Sequence, residues 1–343
     1  MSLKMKNITF LIGMVFLFFF MWGISLFAEP SKGFSGFGET TDLSPDDETL
    51  VFSYFQDGNA SLYTVPASGG TAKLLAKPIE GNSFINPTFS PNGDKVAFIK
   101  QWEVEEQERT FGELMIIDQT NGKMEQLTDT NNLITEAVFS PDGKTLYFLK
   151  ASVYKNYSEI ASKRPHEFDI FRMDLETKAI DQITHKKAYE MSGLAVTPDG
   201  KQLMYRSYGN GDQLVFHSLA DDGETVVIPS GEFASGAPII SSPSLSSDGK
   251  RVTFSDVATK GKDGLFIYEA FKMDVDTQQA KQITSFHKHV TNPVFFHHSN
   301  SLIVTVDEKF GEARSEYSYW RVSMDGDQRK HLSINIPEVD DMK

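Results

Sequence analysis

The sequence predicts an all-β chain: a six-bladed β-propeller of four-stranded antiparallel blades, preceded by one N-terminal apolar helix. Three observations predict it. A turn motif of the Ser-Pro-Asp-Gly type occurs six times, the copies follow one another at a near-constant interval, and an uncharged apolar run opens the chain.

The first element is the run from Ile8 to Ala28, preceded by Lys4 and Lys6 and closed by Glu29-Pro30. Its 21 residues, at about 1.5 Å rise each, match the ~30 Å hydrocarbon core of a bilayer, whereas the apolar part of a cleaved signal spans about 7–15 residues. Length favours a retained signal-anchor over 1–30. Cleavage is the alternative: Gly23-Ile24-Ser25 fits a small-x-small site, while Leu26-Phe27-Ala28 does not. Both lysines precede the run, so the positive-inside rule leaves the amino end in the cytoplasm. The expected location is the cell membrane, single-pass with the propeller outside the cytoplasm, or secretion if the signal is cut.

After a linker at 31–38 come the repeats. The full motif is Phe139-Ser140-Pro141-Asp142-Gly143-Lys144 followed by Thr145-Leu146-Tyr147-Phe148, and other copies centre on Ser44-Pro45-Asp46, Ser90-Pro91-Asn92, Thr197-Pro198-Asp199, Ser246-Ser247-Asp248 and a worn Phe296-His297-His298. Their starts are spaced by 46, 50, 57, 49 and 50 residues. Pro fixes the first corner of a turn, Asp or Asn bonds its own backbone, and Gly supplies the positive φ. Each copy is therefore a β-turn between two strands.

Further along each repeat lie a third apolar strand, a short polar turn and a closing strand, as in Ile170-Phe171-Arg172-Met173-Asp174 through Gln182-Ile183-Thr184. One such sheet cannot cover both of its apolar faces and must stack on neighbours. The blades fall at about 39–77, 84–129, 134–185, 191–230, 240–285 and 290–334, with a tail at 335–343. Each repeat opens on its innermost strand, so closure is expected to rest on packing between blades, with 31–38 or 334–343 free to add a pairing.

These residues resemble the TolB-like propeller repeat: Phe-Ser-Pro-Asp-Gly-Lys, an alternating strand, an apolar strand ending in Asp, then Leu/Ile-Thr. The resemblance covers about 39–334. TolB itself carries an α/β domain before its propeller, and the apolar segment occupies that place here. Peptidases of the prolyl oligopeptidase family have a similar propeller with an added hydrolase domain, for which the chain shows no Gly-x-Ser-x-Gly elbow. Oligogalacturonate lyases also resemble this propeller and hold a metal with histidines in the central pocket.

Composition narrows the function. The net charge is −14, an acidic field that repels phosphate backbones and anionic lipid heads, so no nucleic-acid partner and no polybasic surface mechanism are expected. There is no cysteine, which excludes disulfides, thiol nucleophiles and a lipidated cysteine.

The turns of the repeats share one face, and the second-to-third-strand loops share the other. The latter are long and varied at Gln101–Gly112, Ala151–Phe168, Asp256–Gly264 and Asp307–Ser318. Variable loops on a rigid scaffold carry recognition. Candidate binding residues are Tyr154, Tyr157, Arg164 and His166 in blade 3, Trp102 and Arg109 in blade 2, and Phe310 and Arg314 in blade 6. Aromatic and arginine side chains anchor interfaces and sugar rings alike. Glu103, Glu105, Glu106 and Glu108 read as a solvated acidic loop.

His287 and His289 are weak candidates for a metal; His297 and His298 sit at a worn turn on the opposite face. No cofactor is expected beyond a possible divalent metal. The expectation is a binding module for a protein, a cell-envelope glycan or a small ligand; the lack of a hydrolase domain and of a nucleophile motif leans against an enzyme and leaves catalysis open. The alternative is a metal-dependent lyase of the oligogalacturonate type working in the central channel.

Overall fold

Each of the six turns joins the first and second strands of a separate four-stranded antiparallel sheet. In the computed structural model, residues 33–104, 109–156, 163–261 and 264–337, with 14 and 106, are described. The innermost strands are Gly36–Leu43, Asn82–Phe89, Ile134–Phe139, Met191–Val196, Ser241–Leu245 and His289–Phe295. The six sheets form a six-bladed propeller. The apolar run 8–28, Met14 excepted, lies outside the described residues, and among those no helix is long and apolar enough to cross a membrane.

The turn chemistry is local. In the first five blades the Ser or Thr hydroxyl donates to the Asp or Asn two residues on and accepts the N–H five residues on, at 2.5–3.0 Å. One more contact fixes which turns share a face. The residue that opens each third-to-fourth-strand turn donates its N–H to the first-to-second-strand turn: Ala67 to Glu48, Gln119 to Asp94, Leu175 to Lys144, and so on to Met324 and Asn300.

The Leu/Ile-Thr signature is a clamp. Thr128, Thr184 and Thr284 accept the N–H of Leu114, Ile170 and Ala270 through Oγ1, at 2.8–3.0 Å. The glutamines two residues earlier donate to the same threonines' carbonyls. In blades 2, 3 and 5 the outermost strand is thereby held to the third strand.

Period-two alternation sends successive side chains of one strand to opposite blade interfaces. Leu50 and Phe52 join the cluster shared with blade 6, while Val51 between them joins the cluster shared with blade 2. Likewise Leu146 and Phe148 face blade 2, and Tyr147 and Leu149 face blade 4. Among the described residues six buried clusters result, one at every junction including that of blades 6 and 1.

Packing does not close the ring unaided. Ile334–Asn335 pairs in parallel with Gly70–Thr71, so the segment from 334 supplies the extra pairing. Tyr319 donates its hydroxyl to Gly38 O at 2.7 Å, and Thr305 donates to Glu39 O at 2.8 Å. The first strand begins at Gly36, inside the stretch read as linker, because Phe37 inserts among the rings of Phe52, Tyr54 and Tyr319 at 5.2–5.6 Å.

The opposite face differs from the loops expected there. Lys95–Val104 pairs with Arg109–Asp118 out to Val104 and Arg109, Thr145–Lys155 pairs with Arg164–Asp174 out to Lys155 and Arg164, and Arg251–Lys260 pairs with Phe266–Asp274 out to Lys260 and Phe266. Three of the four long segments are thus β-ribbons projecting from the blades. Only in blade 6 does pairing stop early, at Asp307 and Tyr317.

Candidate functional site

All six innermost strands break register midway. Such bulges leave a residue out of the ladder and turn peptide groups aside. Asn86, Ser242 and Asn292 adopt φ of 50°, 47° and 47° at these breaks, and each is followed by Pro, which cannot donate to a ladder. The bulges line a central cavity of about 630 Å³.

A belt of side-chain contacts links one bulge to the next. Thr40 donates to Asn86 at 2.9 Å, and Asn86 donates to Thr135 O at 2.7 Å. Glu136 accepts the N–H of Leu194 at 3.0 Å. Ser242 and Thr291 share a hydrogen bond at 3.2 Å, and Thr291 donates to Glu39 at 2.8 Å. Between blades 4 and 5 the junction is steric: Gly193 lies so close to Pro243 that a Cβ would come within 2.3 Å of its Cγ.

Charged groups of the lining are mostly acidic. Burial raises the pKa of Asp42 although the N–H groups of Phe89 and Leu43 oppose it. Burial likewise raises Glu136 against the N–H groups of Leu194 and Gly193. Arg206 reaches Asp212 at 2.6 Å and Glu190 at 3.0 Å. Burial works against its charge, but these two carboxylates outweigh burial and raise its pKa. Its Nε is buried without a hydrogen-bond partner.

Behind Arg206, Asp212 accepts the N–H of Ile240 at 3.0 Å and Asp256 accepts that of Ile239 at 2.8 Å. Two carboxyls therefore grip successive amides of the strap between blades 4 and 5. Asp256 is fully buried; burial, with a smaller push from Asp212, moves its pKa up to about 7.

The mouth of the cavity is aromatic. His289 lies 4.7 Å from the Tyr268 ring and 4.2 Å from that of Phe310, and burial lowers its pKa. Tyr268 and Phe310 belong to the ribbon and loop of blades 5 and 6, so the cavity opens on the ribbon face.

Of the residues singled out from the sequence, Phe310 and His289 line this cavity together. Arg164 and His166 line a side pocket of about 290 Å³ that shares Glu136, Glu190 and Ser192 with it. His166 is buried, its Nδ1 3.1 Å from Tyr189 O. Tyr154 meets Thr110 of the neighbouring ribbon through its hydroxyl at 3.2 Å. Trp102 stacks on Phe111, with Lys100 over the first ring and Arg109 over the second. Arg314 is exposed on the blade 6 loop, and Tyr157, Glu105 and Glu108 lie outside the described residues.

His287 is exposed, at φ 55°, and donates its backbone N–H to Glu269. Among the described residues no group of three or more His, Asp or Glu could hold a metal ion. His297 and His298 are engaged with Asp47 and Pro45 on the turn face. Sequence reasoning missed Arg206, Asp212, Asp256 and Tyr268; the Pro residues after Asn86, Ser242 and Asn292 were the available signal for the bulges.

No protein-family model matches the chain, and no curated protein does. Solved structures do. TolB from Acinetobacter baumannii superimposes with a TM-score of 0.61 at 19% identity, over 84% of this chain and 64% of that one. The fold is a TolB-like propeller. The Agrobacterium tumefaciens protein assigned as a TolB gives 0.57 at 16% identity over 76% and 83% of the two chains, and an oligogalacturonate lyase in complex with manganese gives 0.55 at 13% over 82% and 76%. This chain spans about two thirds of the length of the A. baumannii protein.

Proposed function

We propose that the chain is a binding module, held outside the cytoplasm by its N-terminal apolar segment, that takes a polar ligand without net negative charge into the central cavity from the ribbon face. A cell-envelope glycan or a segment of a protein partner fits that description. The observation that carries the reading is a cavity to which every blade contributes a bulged inner strand, with aromatic rings at its mouth. Concave sites with a few convergent polar groups and perturbed carboxyls are where ligands bind.

Electrostatics separate this reading from a lyase. A polyuronate would meet Asp42, Glu136 and Glu190, while Arg206 is already engaged by Asp212 and Glu190. The related lyase structure holds manganese, yet His289 is wedged between two rings and the described residues offer no ligand set for such an ion.

The test is calorimetric titration with uncharged wall-glycan fragments in the presence of a chelator, beside incubation with oligogalacturonate and manganese. Expected are binding in the first and no product absorbing in the near ultraviolet in the second. Unsaturated product that disappears with the chelator would overturn the proposal.

A further inference from the structure

The two faces of the propeller differ in chemistry, and the chain enters the propeller at one of them. Phe34 accepts the N–H of Gly58, Ser35 accepts that of Asp57 through Oγ, and the Phe34 ring meets Phe55 and Tyr317 at 5.3 and 6.3 Å. Residues 57–58 are the second-to-third-strand turn of blade 1, so Phe34 sits on the ribbon face. Only Glu29–Gly33 separate it from the apolar run. Five residues span about 17 Å at full extension.

The same face carries large exposed apolar side chains. Ile79, Tyr189, Tyr208, Leu265 and Phe266 are 38–76% exposed there, whereas Met124, Ile180, Val226 and Ile228 lie on or just after outermost strands, at the rim. Exposed bases accompany them, Lys155, Arg164, Lys187 and Lys260, the last with its Nζ 5.8 Å from the Phe266 ring, and exposed acids do too, at Asp57, Glu80, Glu103, Glu312 and Glu316, so the two signs are mixed on this face. On the turn face, hydrogen bonds within the turns hold Asp118, Asp142, Asp199, Asp248 and Asp274 below the usual carboxylate range. The acidity is thus concentrated on the turn face.

We infer that the ribbon face rests on the phospholipid surface of the bilayer to which residues 8–28 tether it, with the cavity mouth turned towards the headgroups. Aromatic side chains settle at the interface between hydrocarbon and water, and anionic headgroups repel the more acidic turn face. The five-residue tether keeps this face, and not the acidic one, near the lipid. The ligand of the cavity is then one presented at the membrane surface. The inference rests on the tethered reading proposed above.

The absence of cysteine makes single-site labelling clean. Tyr208→Cys and Phe266→Cys on the ribbon face, and Glu176→Cys on the turn face, would each be labelled with a fluorophore in the full chain. Each is then reconstituted in vesicles of phosphatidylcholine and phosphatidylglycerol carrying a headgroup quencher. Quenching several-fold greater at 208 and 266 than at 176 is expected. Intact protein with equal quenching at all three sites, or more at 176, would overturn this inference alone. A mass showing that membrane-derived protein lacks residues 1–28 would overturn the tether, and this inference with it.

Discussion

Asp47 and His297 close the ring of turns. Asp47 Oδ1 accepts both the backbone N–H of His297, at 2.7 Å, and its ring Nδ1, at 2.9 Å, while Oδ2 accepts the N–H of His298 at 2.7 Å. At four other junctions a turn glycine packs on the proline of the preceding blade: Gly93 on Pro45, Gly143 on Pro91, Gly200 on Pro141 and Gly249 on Pro198. Asp47 stands where the glycine would be and His297 where the proline would be. The two departures from the repeat are thus one feature, a polar latch in place of an apolar nest.

Asp47→Ala strips three N–H groups of their acceptor, and we expect a loss of about 2–4 kcal/mol in urea denaturation. Asp47→Gly relieves the φ of 63° yet still destabilises, since the hydrogen bonds outweigh roughly 1 kcal/mol of backbone relief. Burial alone would raise the Asp47 pKa, but the His297 and His298 hydrogen bonds bring it below 3.8. A depressed carboxyl contributes fully above its unfolded value and loses its contribution as pH falls through the folded one. Acid titration of stability should therefore be steeper below about pH 4 in the parent than in Asp47→Ala; superimposable curves would refute the latch.

Tyr319→Phe tests the same junction at the inner strand. Its hydroxyl, fully enclosed, donates across the seam to Gly38 O, and removal leaves that carbonyl unpaired at a cost of about 1–2 kcal/mol. Deleting residues from Ile334 onward removes the parallel pairing at the rim. Because Tyr319, Ile334 and Ile336 pack in one apolar cluster, the combined variant should depart from the sum of the two losses by about 0.5 kcal/mol or more when urea midpoints of single and combined variants are compared.

How much could be read in advance follows from the range of each interaction. The blade count was legible because Ser140, Asp142 and Gly143 satisfy one another within five residues, so the motif survives in sequence. The projecting ribbons were read as loops because Tyr154, Lys155 and Arg164 pair as strands without an apolar alternation to announce it. The site was hidden more deeply. Glu136, Arg206, Asp212 and Asp256 come from blades 3, 4 and 5, and in so acidic a chain none stands out until the fold brings them together. His297 looked like decay because its partner, Asp47, lies 250 residues away.

Asp256 makes stability fall as pH rises. Its folded pKa of about 7 lies above the ordinary 3.8, so between these values the folded chain holds a proton that the unfolded chain has released. Stability should decline from about pH 4 and level off above about pH 7, by at most about 4 kcal/mol. Asp256→Asn should flatten that slope, measured by urea unfolding at pH 5 and pH 8. It should also loosen the strap, because one of the two N–H groups bound by the carboxyl, those of Ile239 and Val257, loses its acceptor. Equal changes in parent and variant between the two pH values would show that Asp256 is ionised throughout, the variant controlling for His289, whose lowered pKa acts in the opposite sense.

Gly193 sets the spacing of the belt between blades 4 and 5. Two costs meet in Gly193→Ala: a φ of 66° that L side chains rarely adopt, and a Cβ 2.3 Å from Pro243 Cγ and 2.6 Å from its Cδ. Gly122 separates them, since it has a similar φ of 71° with nothing within 4 Å of an added Cβ. Gly122→Ala should therefore cost only the backbone strain, about 1 kcal/mol, with no change in ligand binding. Gly193→Ala should cost about 2 kcal/mol more through overpacking and weaken ligand binding, because Glu136 takes its hydrogen bond from the next residue, Leu194. Moving Pro243 aside would drag that bond and the Ser242 bulge with it. Equal losses of stability in the two variants would mean that the proline yields freely and that the belt does not hold the cavity in shape.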